Sequence, residues 1–107
     1  MSSDPDAVER VRRRLAGRAG VAEKRMVGGL SFSVGGRMFC GVAGTALMVR
    51  VGRDGVGPAL QEPHVRPMEL GGRRLAAFVL VDPEGWADDA ALDAWLQRSL
   101  DVVARGL

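Results

Sequence analysis

The sequence predicts an α+β fold with two layers. An antiparallel β-meander sheet of about five strands is packed by an N-terminal and a C-terminal helix. Three observations carry this. Apolar residues recur at helical spacing near both ends of the chain, they alternate at every second position through the middle, and glycine pairs punctuate the alternating runs at hairpin distances. The length of 107 residues suits one domain, read as 1–107 with residues 1–3 outside the ordered fold.

The first element is a helix. Ser3 and Asp6 have capping-box spacing, with aspartate in place of Glu or Gln, and Pro5 fits the first turn. Val8, Val11 and Leu15 make its apolar stripe, and Arg10, Arg14 and Arg18 make another, with Arg13 beside it. Glu9 and Arg13 stand at i,i+4, an ordinary helix-stabilising spacing. Gly17 and Gly20 end the segment.

Residues 22–51 read as an antiparallel meander. Leu30, Phe32 and Val34 alternate with serines; Met38, Cys40 and Val42 form a second set; Leu47, Val49 and Val51 form a third. A three-residue loop, Val34 to Gly36, places Phe32 beside Met38 and Leu30 beside Cys40. It gathers these apolar residues on one face and leaves Phe39 and Met48 on the other, beside Arg37 and Arg50. Residues 52–63 form a loop with one helical turn near Ala59 to Glu62. Pro67 makes a strand at 65–70 an edge strand or irregular. Leu75 to Val81 suits a central strand, stopped by Asp82-Pro83, which caps a short turn through Trp86. The last helix is capped by Asp88 or Asp89, with Leu92, Trp95, Leu96, Leu100 and Val103 as its apolar stripe.

The net charge is +2, from fourteen arginines, one lysine and thirteen acids. Residues 1–20 carry +2, 21–81 carry +4 and 82–107 carry −4. Arginine is abundant beside alanine, glycine and valine while lysine is nearly absent. A GC-rich genome produces that bias without any demand for polyanion binding. The longest apolar run, Leu75 to Val81, is far short of the ~20 residues of a bilayer span. The charged N-terminus has no apolar signal core. A cytoplasmic protein without membrane contact is expected.

Catalytic signals are thin. A phosphate-cradling loop needs a lysine and a helix after its glycines, whereas Lys24 precedes Gly28-Gly29 and a strand follows. Cys40 falls on the core face of a strand, where a thiol is inert. His64 lies in a loop between Pro63 and Val65. One cysteine and one histidine cannot assemble a metal cluster, so no cofactor or metal is expected. Arg10, Arg13 and Arg14 could meet nucleic-acid phosphates, but Asp4, Asp6 and Glu9 blunt that field. Few aromatics are present for base stacking.

The order "RMVGGLSFSVGGRMFCGVAGTALMVRV" resembles the N-terminal domain of the TfoX/Sxy family. That family's pattern runs Met-Phe-Gly-Gly, an apolar strand, Asp-Gly-Lys-Met-Phe, then Leu-Tyr-Leu-Lys-Val. The matching residues are Met26, Gly28 and Gly29; Gly36, Arg37, Met38 and Phe39; and Leu47, Val49, Arg50 and Val51. Downstream, "RPMELGGRRLAAFVLVDPEG" and a terminal helix resemble the family's later strand and helix, so the likeness spans residues 22–105. Val27, Met48 and Gly35 depart from the pattern. The resemblance implies an α+β fold, no catalytic residues, and a role in regulating competence genes with the cyclic-AMP receptor protein.

Together these observations lead to a non-enzymatic protein-interaction module, a stand-alone copy of that domain, with a transcription regulator as partner. The expected partner surface is Arg37, Phe39, Met48 and Arg50. A homodimer through the open sheet face or an edge strand is also compatible with the sequence. One alternative is weak nucleic-acid binding through Arg10, Arg13 and Arg14. Another is a small enzyme or ligand binder that uses Cys40 or His64.

Overall fold

The expected α+β architecture is present, with six strands where about five are expected. The computed structural model describes residues 3–26 and 28–106. The expected disorder of residues 1–3 therefore falls, for residues 1 and 2, outside the described residues, and so does Val27. The elements run α1 (Pro5–Leu15), β1 (Val21–Met26), β2 (Gly29–Val34), β3 (Arg37–Ala43), β4 (Ala46–Arg50), α2 (Arg53–Leu60), β5 (Val65–Leu70), β6 (Arg73–Val81), a 3-10 turn (Pro83–Trp86) and α3 (Asp89–Ala104). The additional strand is β1. Its Ala22, Glu23, Lys24 and Arg25 are all exposed, so it has no apolar alternation to announce it.

The strands form one sheet in the order β1-β2-β3-β4-β6-β5, with every pairing antiparallel. β6 enters between β4 and β5, which leaves the Pro67-bearing strand at the edge, as the missing proline N–H requires. The opposite edge is β1, whose charged side chains discourage pairing with another chain.

Helix α1 begins one residue away from the expected cap. Asp4 is the N-cap, and its carboxylate accepts the Ala7 N–H at 3.0 Å. Asp88 caps α3 in the same way, accepting from Ala91 N–H at 2.7 Å. Segment 52–63 holds a full two-turn helix, α2, rather than a loop with one turn. Its Gly55, Gly57 and Pro58 hide it from propensity. Burial of Ala59 and packing of Val56 and Leu60 against the core stabilise it instead.

The main core lies between the helices and one sheet face. Val8, Val11 and Leu15 of α1, Ala59 of α2 and Leu92, Trp95 and Leu96 of α3 pack there. They meet Phe32, Cys40, Val42, Leu47, Val49, Val79 and Val81 from the strands. The other face carries a smaller apolar cluster made entirely of strand residues, Ala46, Met48, Met68, Phe78 and Leu80.

The β2–β3 hairpin departs from the expected register. Its loop is the two-residue turn Gly35-Gly36, with Val34 opposite Arg37, not the three-residue loop Val34 to Gly36. Both glycines have positive φ, +59° and +79°, the type I′ geometry that follows the twist of the strands. Such a turn alone would set Phe32 opposite Phe39. A bulge between Phe32 and Ser33 on β2 and Met38 and Cys40 on β3 leaves Phe39 as the extra residue and pairs Phe32 with Cys40. Met38 thereby joins the strand-only face and Phe39 turns into the helix-side core, the reverse of the expected assignment.

Candidate functional site

The fingerprint residues hold the hairpins together. Gly29 sits where a Cβ would lie 2.1 Å from the Val42 carbonyl oxygen, so only glycine allows β2 and β3 to approach there. Gly28 and Gly36 have φ of +85° and +79°. Met26 and Met38 are half-buried at the margin of the second cluster, and Arg37 starts β3.

Two members of the expected partner surface are not at the surface. Phe39 is fully buried by the bulge, and Met48 is 1 % exposed. Met48 does lie on the face opposite the helices, as expected, but Met38, Met68, Phe78 and Leu80 belong to the same cluster and enclose it. Its partner position, Gly41, makes the room: a Cβ there would stand 2.4 Å from Met48 Cε. Arg50 covers the cluster margin. Its Nε–H donates to the Met38 carbonyl at 2.7 Å, and its guanidinium lies 4.7 Å from the Phe78 ring centroid. Partial burial and then the nearby Arg37 charge push the Arg50 pKa down. Arg37 and Arg50 thus remain at the rim of a face whose expected aromatic and methionine contacts are internal.

The α1 arginines are drawn sideways onto α3. Arg10 Nε lies 3.4 Å from an Asp89 carboxylate oxygen and its guanidinium 5.2 Å from the Trp86 ring. Arg14 Nε–H donates to Asp93 at 2.8 Å, and Arg18 to Gln97 at 2.7 Å. The hydrogen bond to Asp93 raises the Arg14 pKa, and that to Arg14 lowers Asp93. Glu9 pairs with Arg12 rather than the expected Arg13, and Arg12 also takes Glu23 of β1 bidentately at 2.7 Å. Arg13 is exposed and points to neither.

Cys40 is fully buried, and desolvation pushes its thiol far above the usual range. His64 is exposed and has φ +67°. Its carbonyl accepts the Asp82 N–H at 2.8 Å, and its side chain lines a shallow cleft of about 380 Å³ with Glu62, Glu84 and Arg98. Cys40 is enclosed in the core whereas His64 is exposed, and no hydrogen bond joins them among the described residues. Among the described residues no three His, Cys, Asp or Glu side chains converge on a point that could hold a metal.

A recess of about 760 Å³ lies elsewhere. Four arginines border it: Arg50 at the end of β4, Arg53 in the first turn of α2, Arg98 of α3 and Arg105 at its C-cap. Val51 and Val102 form an apolar base, and Asp54 is the one carboxylate at its edge. Of these arginines only Arg50 belongs to the surface expected from the sequence. The available signals were Arg98 and Arg105 seven apart on one helix, and Arg50 and Arg53 flanking Gly52. No described helix is long and apolar enough to cross a membrane.

The family model described as TfoX N-terminal domain matches residues 13–103. No curated protein and no solved structure matches the chain. The match covers most of the 107 residues and includes every glycine and strand of the fingerprint from Met26 to Val51. The chain belongs to the TfoX N-terminal domain family.

Proposed function

We propose that this protein is a non-enzymatic, cytoplasmic interaction module that acts as an accessory regulator of transcription through a protein partner. Family membership over residues 13–103 is the observation that carries this reading. Two features support it. The one thiol is enclosed and held protonated, which makes it a poor nucleophile. The α1 stripe of Arg10 and Arg14 spends its charge on α3 carboxylates rather than presenting it outward. The contact surface is read at the Arg37–Arg50 rim, now without Phe39 and Met48.

The test is made in the native host. Deleting the chain should change a definable set of transcripts, and wild-type protein should restore them. Cross-linked affinity capture should recover a transcription regulator, and Arg37→Glu combined with Arg50→Glu should lose it while remaining folded. Unchanged transcripts on deletion overturn the proposal. Capture that is indifferent to the double variant removes the assigned surface.

A further inference from the structure

We propose that the recess bordered by Arg50, Arg53, Arg98 and Arg105 binds a small phosphorylated organic anion. The inference does not rest on the regulatory reading, although Arg50 is shared by this recess and the Arg37–Arg50 rim.

The four arginines come from β4, α2, α3 and the C-cap of α3, and all four line the one recess. Their charge is incompletely balanced there. Arg98 donates to Glu62 at 2.7 Å and stacks on Trp95, and Asp54 stands at the edge. Arg50 is anchored by a neutral carbonyl and a phenyl ring rather than by a carboxylate. Arg53 and Arg105, both exposed, have no carboxylate within ion-pair distance among the described residues. The surplus therefore exceeds one positive charge, which suits an anion of charge two or more. The arginines of α1 differ in this respect: Arg10 and Arg14 are paired with Asp89 and Asp93, and Arg12 with Glu9 and Glu23.

Geometry favours phosphate over a lone carboxylate. Guanidinium forks match phosphate oxygens two at a time. The α2 N-cap is Gly52, whose lack of a side chain leaves the first-turn amides without a side-chain cap beside Arg53. A phosphate there would add amide bonds to guanidinium bonds. The recess, about 760 Å³ with Val51 and Val102 at its base, is larger than one phosphate needs. It falls within the usual range for small organic ligands, on the order of 300–1,000 Å³.

The probe is inorganic pyrophosphate, titrated into the full chain and followed by calorimetry and amide NMR. Binding with Kd of roughly 10 μM to 1 mM is expected, with the largest shifts at Gly52 to Gly55. Arg53→Gln combined with Arg105→Gln should weaken it by about tenfold or more, the scale of lost charge-assisted contacts. Both positions are exposed, so the fold should survive. Arg73→Gln combined with Arg74→Gln removes the same charge at a distant turn and should change affinity by less than about twofold. No binding at about 10 mM pyrophosphate, shifts centred elsewhere, or equal loss in the control pair would each overturn the proposal. Displacement of pyrophosphate by duplex DNA at lower phosphate concentration would also overturn it, by assigning the recess to a nucleic-acid backbone.

Discussion

Arg14 and Asp93 meet side on, Nε 2.8 Å from one carboxylate oxygen and Nη2 bonded to the other. The pair is one rung of a ladder with a constant offset of 79 residues: Arg10 with Asp89, Arg14 with Asp93, Arg18 with Gln97. Four-residue steps stay on one helix face, so Arg10 and Arg14 remain in register with Asp89 and Asp93 as α1 and α3 run in the same direction, and Arg18 reaches Gln97 from the turn that follows α1. Each charge also suits its own helix. Arg14 lies in the last turn of α1, and Asp89 in the first turn of α3.

The rung has a pH signature. Its hydrogen bond to Arg14 holds the Asp93 pKa below the ordinary value. The stabilisation is therefore present above the unfolded pKa, about 3.9, and is lost as pH falls through the lower folded value. Carboxyl-carbon NMR should give Asp93 a titration midpoint below that of a free aspartate. Arg14→Gln should move it back up. A midpoint that does not respond to Arg14→Gln would show that the two groups are uncoupled in solution. Because both are solvent-accessible, salt should weaken the effect.

The same ladder makes a prediction about nucleic acid. Two of the three arginines singled out for phosphate contact, Arg10 and Arg14, are engaged by carboxylates, which leaves Arg13. Duplex binding tighter than about 10⁻⁴ M at physiological salt is not expected. Asp89→Asn combined with Asp93→Asn should increase low-salt duplex affinity by releasing those guanidiniums. Tight wild-type binding with a steep salt slope, unchanged by this double variant, would contradict the ladder's shielding role.

The legible parts of the fold are those with a strong local period. Val8, Val11 and Leu15, the Phe78 to Val81 end of the Leu75 to Val81 run, and Leu92, Trp95 and Leu96 all bury as their spacing requires. Helix α2 was hidden because Gly55, Gly57 and Pro58 argue against a helix and only tertiary burial of Ala59 favours one. The β3 faces differ from the alternation expected of the sequence because a bulge adds one residue without a composition signal of its own. Phe39 and Met38 look interchangeable in an alternating string, and only the Phe32–Cys40 pairing separates them. The arginine recess draws on positions 50, 53, 98 and 105, and no sequence spacing links the first pair to the second.

Burial of Phe39 and Met48 sets a stability prediction. Phe39→Ala should cost about 3–5 kcal/mol and Met48→Ala about 2–5 kcal/mol in urea unfolding. Gly41→Ala should also destabilise. Its Cβ would meet the Leu30 carbonyl oxygen at 2.5 Å as well as Met48 Cε, and backbone cannot rotate away. Trimming the methionine in Gly41→Ala/Met48→Ala should therefore recover only part of the loss. Costs within about 0.5 kcal/mol for Phe39→Ala and Met48→Ala would place both residues at a surface instead.

Cys40 provides a prediction about reactivity and about alkaline pH together. Enclosure between Phe32, Val49 and the helix layer denies a thiol reagent access, and desolvation disfavours the thiolate. Labelling should therefore proceed through the open state. Its rate should rise with urea and follow an ordinary thiol's pH profile, with a midpoint near ~8.5. An activated cysteine would instead react at full rate well below that pH and ignore urea. The equilibrium consequence has a fixed sign. Because the folded thiol titrates above the unfolded one, its share of stability is fully present below pH ~8.5 and declines as pH rises toward the folded value. Comparing wild type with Cys40→Ala from pH ~7 to ~10 isolates that share: the wild type should lose stability with pH more steeply. Parallel curves would mean that the thiol ionises as readily in the folded protein as in the unfolded chain, and that water reaches it.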